Sequence, residues 1–208
     1  MSLIKDLQYG LRTLRKSKGF TAVAVLTMAV GIAANTTVFS WVEAVLLRPF
    51  PGTNDPGRLV SLEMVAPSGE HLTVSYPDYR DLRDHTKLLD GIMVTQPRPL
   101  NLGEGVHSQR IWGELVSGDF FDVMRVKPAL GRFFVGHERD DSPGGHLVAV
   151  ISYTLWKNHF HADPAVVGTT IRVNRYPLAI IGVAPEKFGG SMSSIAYDIW
   201  APAIPSGN

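Results

Sequence analysis

The longest apolar stretch of the chain lies near its N-terminus. From Gly19 to Val42, 24 residues contain no Asp, Glu, Lys or Arg. In helical geometry they would span about 36 Å, more than the roughly 30 Å hydrocarbon core of a bilayer. The apolar pattern continues to Leu47, and Pro49 follows it. The pattern therefore predicts one transmembrane helix over residues 19–47.

Residues 1–18, ahead of this segment, combine an apolar stripe with basic charge. The apolar members are Leu3, Ile4, Leu7, Leu11 and Leu14, and the basic ones are Lys5, Arg12, Arg15, Lys16 and Lys18. This pattern favours an amphipathic helix on the membrane surface, although it also fits a helical extension of the anchor. Because basic residues accumulate on the cytoplasmic side, we expect a cytoplasmic N-terminus and an extracytoplasmic C-terminal part.

Two other interpretations of the apolar segment are open. A cleaved signal peptide would use residues 20–33 as its apolar core, and a soluble protein could bury such a helix. The apolar residues continue beyond the cleavage position, from Val38 to Leu47. Few soluble cores need an uncharged run of this length. Both points favour the membrane anchor.

Small and polar residues mark one face of the anchor. Thr27, Gly31, Ala34 and Asn35 recur at helical spacing. In lipid, small residues allow close helix contact, and a buried amide needs a hydrogen-bond partner. We therefore predict that this face packs against other transmembrane helices. The alternative is that a single anchor merely tolerates these residues.

Residues 48–57 are rich in Pro, Gly, Asn and Asp and predict a linker, followed by a domain over residues 58–208. Alternation and apolar runs predict strands at 58–65, 92–95, 110–116, 147–151, 169–173 and 176–183. Helices are predicted from Ser75 to about Leu89, after Ser117 over Phe120 and Phe121, and after Ser152. Strands intermixed with helices and hairpins indicate an α+β fold.

Composition excludes several classes of function. The chain has no cysteine, which excludes disulfides, thiol catalysis and Cys-ligated zinc. The formal net charge of +1 gives no support for nucleic-acid binding. No phosphate-binding loop and no Gly-x-Ser-x-Gly nucleophile motif occurs. We predict a protein without catalytic residues or a cofactor, so any nucleotide hydrolysis belongs to another chain.

His159, His161 and Asp163 are the strongest candidates for chemistry. Their alternate spacing is similar to part of the metal motif of metallo-β-lactamase-type hydrolases, but Pro164 stands where that motif has another histidine. Helix packing by His159 and capping by Asp163 explain the same residues without a metal. We predict no metal site. The loop with Glu138, Asp140 and Asp141 lacks the spacing of a calcium loop and predicts a solvated acidic loop.

Several stretches together resemble the MacB-like periplasmic core domain of FtsX-type ABC transporter permeases. Two of them, residues 6–17 and 20–35, are similar to that family's entry into its first membrane helix. The others are Leu-Val-Ser-Gly-Asp-Phe-Phe-Asp-Val-Met (115–124), Lys-Pro-Ala-Leu-Gly-Arg-Phe-Phe (127–134), Val-Ile-Ser-Tyr-Thr-Leu-Trp (150–156), Asp-Pro-Ala-Val-Val-Gly (163–168) and Ile-Ile-Gly-Val-Ala-Pro (180–185). Their order and spacing cover nearly the whole chain.

The resemblance implies a protein of the bacterial inner membrane with a single pass and an extracytoplasmic domain. It implies a non-catalytic permease subunit or fragment that couples a cytoplasmic ABC ATPase to export, with the bilayer and other permease segments as partners. Full-length members return to further membrane helices, so the domain is expected to be incomplete here. The alternatives are a membrane-tethered, metal-dependent periplasmic hydrolase that uses the His159 motif and a tethered binding module.

Overall fold

The computed structural model describes residues 12, 14, 16–43, 52–53, 55–105, 108–139, 146–192 and 194–203. The chain forms two compact units, residues 1–48 and 49–208, and each is described by itself. In the first unit, helix α1 spans Lys18–Val42. The backbone is non-helical at Ser17 (φ −107°, ψ 66°), where the sequence places the end of the basic leader. Most of that leader, and residues 44–47 of the predicted membrane helix, lie outside the described residues.

The second unit contains three α-helices and nine strands among its described residues. The helices are α2 (Tyr76–His85), α3 (Phe120–Val123) and α4 (Tyr153–His159). The strands are β1 (Met64–Val65), β2 (His71–Leu72), β3 (Thr95–Leu102), β4 (Gln109–Val116), β5 (Leu130–Gly131), β6 (Val148–Ile151), β7 (Thr170–Val173), β8 (Tyr176–Val183) and β9 (Ile199–Pro202). This mixture of elements confirms the predicted α+β class.

Seven strands form one mixed sheet in the order β5-β8-β6-β9-β4-β3-β7. Strand β7 also pairs with β8, so β8, β6, β9, β4, β3 and β7 form a closed circuit. Its β3–β7 junction consists of one residue pair, Leu102 with Val173. The β4–β9 and β6–β8 pairs are parallel, and the other pairs are antiparallel. The predicted hairpin around Asn174 and Arg175 is confirmed as β7–β8.

Strand β3 carries Pro97 and Pro99, residues that argue against a central strand. All eight residues of β3 pair with β4, from Thr95 opposite Val116 to Leu102 opposite Gln109. The Asn101 amide donates to the Asn174 side chain, on the side away from β4. Residues two apart direct their backbone nitrogens to the same side, so the nitrogens of Pro97 and Pro99 also face away from β4. The ladder therefore loses no donor, and the sequence analysis missed most of this strand because prolines interrupt its pattern.

The two faces of the sheet each pack a buried cluster. One is aliphatic and includes Ile151, Ile180 and Ile199. The other, which we call the aromatic cluster, contains Phe120, Phe121, Phe134, Phe188, Tyr197 and Trp200 with smaller residues of β4, β6 and β8. Neighbouring residues such as Ile199 and Trp200 belong to different clusters, which is the alternation expected of a sheet buried on both faces.

The helix starts follow the predicted caps in two of three cases. The Ser75 hydroxyl accepts a hydrogen bond from the Asp78 amide in a capping box, and the Ser152 hydroxyl accepts one from the Leu155 amide at 3.0 Å. The predicted cap at Ser117 is wrong: its hydroxyl accepts a hydrogen bond from the Val94 amide, so it joins two strand ends instead. The predicted end of α2 near Leu89 is also wrong, because the helix stops at His85.

The predicted half-buried strand over residues 58–65 is also wrong. Only Met64 and Val65 form a strand, which pairs with β2 across the turn at residues 66–70. Val60 and Leu62 are exposed. A regular apolar alternation marks residues that can lie on a buried face, but here the segment pairs only with its own hairpin, and only Leu59 packs against a core cluster of the described domain.

Candidate functional site

Helix α1 has the length and composition of a membrane-spanning helix. Its 25 residues span about 37 Å, and none of them after Lys18 is charged. Among the described residues it is the one helix that is long and apolar enough to cross a membrane, and none of its residues is buried. Phe20, Val25, Leu26, Phe39 and Trp41 all expose most of their side chains. Such a surface is unfavourable in water and suits lipid or helix contact.

The predicted packing face occupies the centre of α1. Thr27, Gly31, Ala34 and Asn35 fall within this one continuous helix, at spacings of four, three and one residues, so their side chains share a side. The Thr27 hydroxyl donates to the Val23 carbonyl at 2.9 Å, and a Cβ atom added to Gly31 would meet no atom within 4 Å. All four residues are exposed. The face is therefore sterically open.

His159 and Asp163, two of the three residues of the candidate metal motif, have structural roles. His159 ends α4 with its ring against Phe160, at a centroid distance of 4.8 Å. A carboxylate oxygen of Asp163 accepts a hydrogen bond from the Ala165 amide at 2.9 Å and caps the next helical turn. Within the described part of the chain, no three His, Cys, Asp or Glu side chains lie close enough to hold a metal ion.

The predicted solvated acidic loop is wrong for Glu138. This carboxylate is 5% exposed and pairs with both terminal nitrogens of Arg132, at 2.5 and 2.8 Å. It also accepts a hydrogen bond from the Val135 amide at 3.0 Å. The pairing raises the pKa of the Arg132 guanidinium. Glu138 therefore folds residues 132–138 into a compact turn, while Asp140 and Asp141 lie outside the described residues.

The structure identifies a buried polar group that the sequence analysis missed. Glu114 lies on β4, on the face of the aromatic cluster, and has no exposed surface. One of its oxygens accepts hydrogen bonds from the Trp200 indole N–H at 2.8 Å and the Ser191 amide at 3.3 Å. The other accepts the Ser191 hydroxyl, which lies 3.1 Å from the Thr95 hydroxyl. Glu114, Thr95, Ser191, Tyr197 and Trp200 form what we call the Glu114 cluster.

Burial is the main cause of the pKa shifts in the Glu114 cluster. Among the described residues, all donors to Glu114 are neutral, and burial raises the pKa of its carboxyl above 4.5, although the Ser191 and Trp200 hydrogen bonds oppose the shift. Burial, and then the charge of Glu114, raise the pKa of Tyr197 to about 12. Burial likewise raises the pKa of Asp198, against a hydrogen bond from the Trp112 amide.

A signal for Glu114 does exist in the sequence. The strand Arg-Ile-Trp-Gly-Glu-Leu-Val places a carboxylate between Gly113 and Leu115 in an otherwise apolar run. A charged residue inside a buried strand is rare and needs partners, which is a warning of a polar cluster. Its partners at positions 191 and 200 lie far away in sequence, so pattern analysis could not name them.

The family model described as the MacB-like periplasmic core domain matches residues 21–206. The macrolide export ATP-binding/permease protein of Bdellovibrio bacteriovorus is 25% identical over 199 residues, which cover 89% of this chain and 29% of that protein. The corresponding protein of Chlorobium luteolum is 25% identical over 112 residues, covering 52% of this chain and 16% of that protein. The chain thus spans less than a third of the length of these relatives.

One solved structure has a similar fold. It is the periplasmic region of MacB from Actinobacillus actinomycetemcomitans, with a TM-score of 0.50 and 18% identity. The match covers 77% of this chain and 67% of that chain. At this identity the likeness concerns the fold alone, and it agrees with the mixed α+β unit described above.

Proposed function

The chain belongs to the MacB-like periplasmic core domain family of ABC transporter permeases, and on this premise we propose that it is a non-catalytic membrane component of an ABC-type exporter. In this role it would link a partner ATPase to an extracytoplasmic domain. The observation that carries the proposal is the combination of this family's domain with an uncharged helix of membrane length in one chain.

The proposed partner follows from the relatives and from the chemistry of the chain. The curated relatives are named as combined ATP-binding and permease proteins for macrolide export. Residues 1–208 contain no phosphate-binding loop, so a nucleotide-hydrolysing domain outside this stretch would supply the energy. Other permease helices and the bilayer are the remaining proposed partners. The hydrolase alternative is not favoured, because Asp163 caps a turn and His159 packs on Phe160.

We assign the chain a topology with the N-terminus in the cytoplasm of a bacterium. Residues 1–18 form the basic cytoplasmic leader, 19–47 a single pass through the inner (plasma) membrane, 48–57 a linker and 58–208 the extracytoplasmic domain. Support comes from the excess of positive charge before Gly19 and from the exposed apolar surface of α1.

A reporter fusion tests this topology. Alkaline phosphatase joined after Gly57 should be active, because it would lie outside the cytoplasm, and the mature protein should retain Met1 or Ser2 at its N-terminus. The measurement is phosphatase activity together with N-terminal sequencing, and a fusion after Lys18 provides the inactive control. An N-terminus near Asn35 would instead establish a cleaved signal peptide and overturn the anchor.

The residues Thr27, Gly31, Ala34 and Asn35 are the proposed contact face for other permease helices. Gly31 leaves space for the backbone of a neighbouring helix, and an Asn35 amide in lipid lacks water as a partner. Hydrogen bonds across membrane helices contribute about 0.6 kcal/mol on average, so close packing at Gly31 is the larger effect.

Substitution and crosslinking test this face. Gly31→Leu should reduce crosslinking from a cysteine at position 34 in native membranes at least severalfold, because the larger side chain prevents close approach. Asn35→Leu should have a weaker effect. Ala33→Leu is the matched control, since Ala33 lies two residues from Gly31 and therefore on the opposite side of the helix. If Gly31→Leu and Ala33→Leu behave alike, α1 has no helix partner, and the chain is better described as a tethered binding module.

A further inference from the structure

Residues 52–59, which we call the strap, lie against the outer domain. The Gly52 backbone (φ +80°) approaches the chain so closely that an added Cβ would lie 2.7 Å from the Phe188 nitrogen and 2.8 Å from the Lys187 carbonyl carbon. At the other end of the strap, Leu59 packs against the aromatic cluster. Both ends of the strap therefore contact the folded domain.

Charged pairs hold the middle of the strap. Arg58 lies 2.8 Å from the Asp90 carboxylate, and Asp55 lies 3.2 Å from Arg125. Arg125 also lies 3.7 Å from Asp90, which joins the two pairs. These groups are exposed, so each pair contributes little by itself, at most about 1 kcal/mol. The packing of Gly52 and Leu59 against the domain must therefore provide most of the free energy that holds the strap in place.

The surface that receives Gly52 is the loop between β8 and β9, residues 184–198. Its residue Phe188 packs its ring into the aromatic cluster, 5.3 Å from the Trp200 ring and 6.1 Å from the Phe120 ring. Three residues later, both the amide and the hydroxyl of Ser191 donate hydrogen bonds to the Glu114 carboxylate. Trp200, on the next strand, donates to the same carboxylate.

The loop is packed closely at this point. A Cβ atom on Gly190 would lie 2.3 Å from the Tyr197 ring and 2.7 Å from a Glu114 oxygen, and Gly190 has φ +99°. Residues 188–191 thus lie between Glu114 on the inner side and Gly52 on the outer side. Any shift of Ser191 away from Glu114 would move the backbone on which Gly52 rests.

We propose that Glu114 is the positioning residue of the strap. Its hydrogen bonds to Ser191 hold the backbone of residues 188–191 against β4, and Gly52 packs on that backbone. Glu114 thereby fixes the position of the segment that leads to the membrane helix. The role of this attachment in passing motion from the membrane helix to the outer domain rests on the proposed function. The attachment itself is a property of the domain and can be tested without transport.

Hydrogen exchange of the full chain in detergent micelles measures the attachment. Protected amides report on the strap (Arg58 and Leu59), on the loop (Phe188 and Ser191) and on the distant β7–β8 hairpin (Asn174 and Ile180). Ser191→Ala removes one hydroxyl from Glu114 and should accelerate exchange of the loop amides roughly tenfold. The strap amides should accelerate by a similar factor, while the distant amides should keep their rates.

Two further variants distinguish a specific effect of Ser191 on the strap from a general loss of stability of the domain. Ser152→Ala removes a serine hydroxyl that accepts from the Leu155 amide, and it should accelerate exchange only around α4. Gly52→Ala perturbs the attachment from the strap side and should accelerate Ser191 as well as Arg58 and Leu59, because coupling between two sites is reciprocal. Ser152→Ala removes only one hydrogen bond, and displacement of the strap can relieve the clash at Gly52, so the domain should remain folded.

The proposal is overturned if Ser191→Ala accelerates the loop and leaves the strap unchanged, or if Gly52→Ala accelerates the strap alone. It is also overturned if Ser152→Ala accelerates the strap as much as Ser191→Ala does. None of these results affects the phosphatase or crosslinking experiments, which test the proposed function. Conversely, a cytoplasmic outer domain would remove the transport role and leave the exchange pattern intact.

Discussion

Glu114→Ala should lower the free energy of unfolding of the outer domain by about 3 kcal/mol. The substitution leaves the Trp200 indole N–H and the Ser191 amide without their acceptor, and each unsatisfied buried donor costs about 1–3 kcal/mol. It also leaves a small cavity beside Trp200, which is fully buried. Relief of the buried charge offsets part of this loss. Urea unfolding of the full chain in micelles, followed by tryptophan fluorescence, measures the change.

Glu114→Gln is the matched variant and should cost less than about 1 kcal/mol at neutral pH. The amide oxygen can accept from Trp200 and the Ser191 amide, and the amide nitrogen can donate to the Ser191 hydroxyl, which then donates toward Thr95. If the Gln variant is as unstable as the Ala variant, the pairing pattern assigned to the Glu114 cluster is wrong.

The same pair of proteins predicts a pH dependence. Burial raises the folded-state pKa of Glu114 above 4.5, so the folded state holds its proton more tightly than the unfolded state does. The stability linked to this group is fully present below pH 4.5 and is lost as the pH rises through the folded pKa. The wild-type protein should therefore lose stability relative to Glu114→Gln over this window. Parallel stability curves for the two proteins would contradict the assignment.

Gly182→Ala should destabilise the outer domain by about 3 kcal/mol, at the upper end of overpacking effects. An added Cβ would lie 2.2 Å from the Arg132 carbonyl oxygen and 3.1 Å from the Arg132 nitrogen. Its cross-strand partner Gly131 has φ +70°, and a Cβ atom added there would lie 2.4 Å from the Ile181 carbonyl oxygen. Because both obstacles are backbone atoms, no rotamer change can relieve the clash, and β5 must separate from β8.

Gly57→Ala is the control for Gly182→Ala. An added Cβ at Gly57 meets no atom within 4 Å, and its φ is not positive, so the cost should be below about 0.5 kcal/mol. The measurement is again urea unfolding, with exchange of the Arg132 amide as a local report on β5. Equal stability of the two alanine variants would show that β5 does not need close contact with β8.

Elements with local signals could be predicted from the sequence. Ser75 and Ser152 cap the first turns of their helices with their hydroxyls, and Asn174-Arg175 forms the turn of a hairpin between two apolar strands. The apolar run of α1 needs no tertiary information, because its length and lack of charge follow from residue counts. In each case the determining atoms lie within a few residues of each other along the chain.

The failures concern residues whose environment depends on distant segments. Strand β3 forms because β4 covers one of its edges, and the prolines hide it from pattern analysis. Val60 and Leu62 alternate as a buried strand would, yet no segment of the described domain covers them. Glu114 depends on Ser191 and Trp200, 77 and 86 residues away. Only a folded chain brings such groups together.

The prolines of β3 have a consequence for crowding at the membrane surface. An exposed strand edge with free N–H groups can recruit a strand from another molecule and begin aggregation. Pro97 and Pro99 remove two donors from the outer edge of β3, and the Asn101 amide is already engaged by the Asn174 side chain at 2.9 Å. This edge therefore offers a neighbouring strand few N–H groups with which to form a ladder. Copies of the domain held side by side at high density can collide through it without joining their sheets.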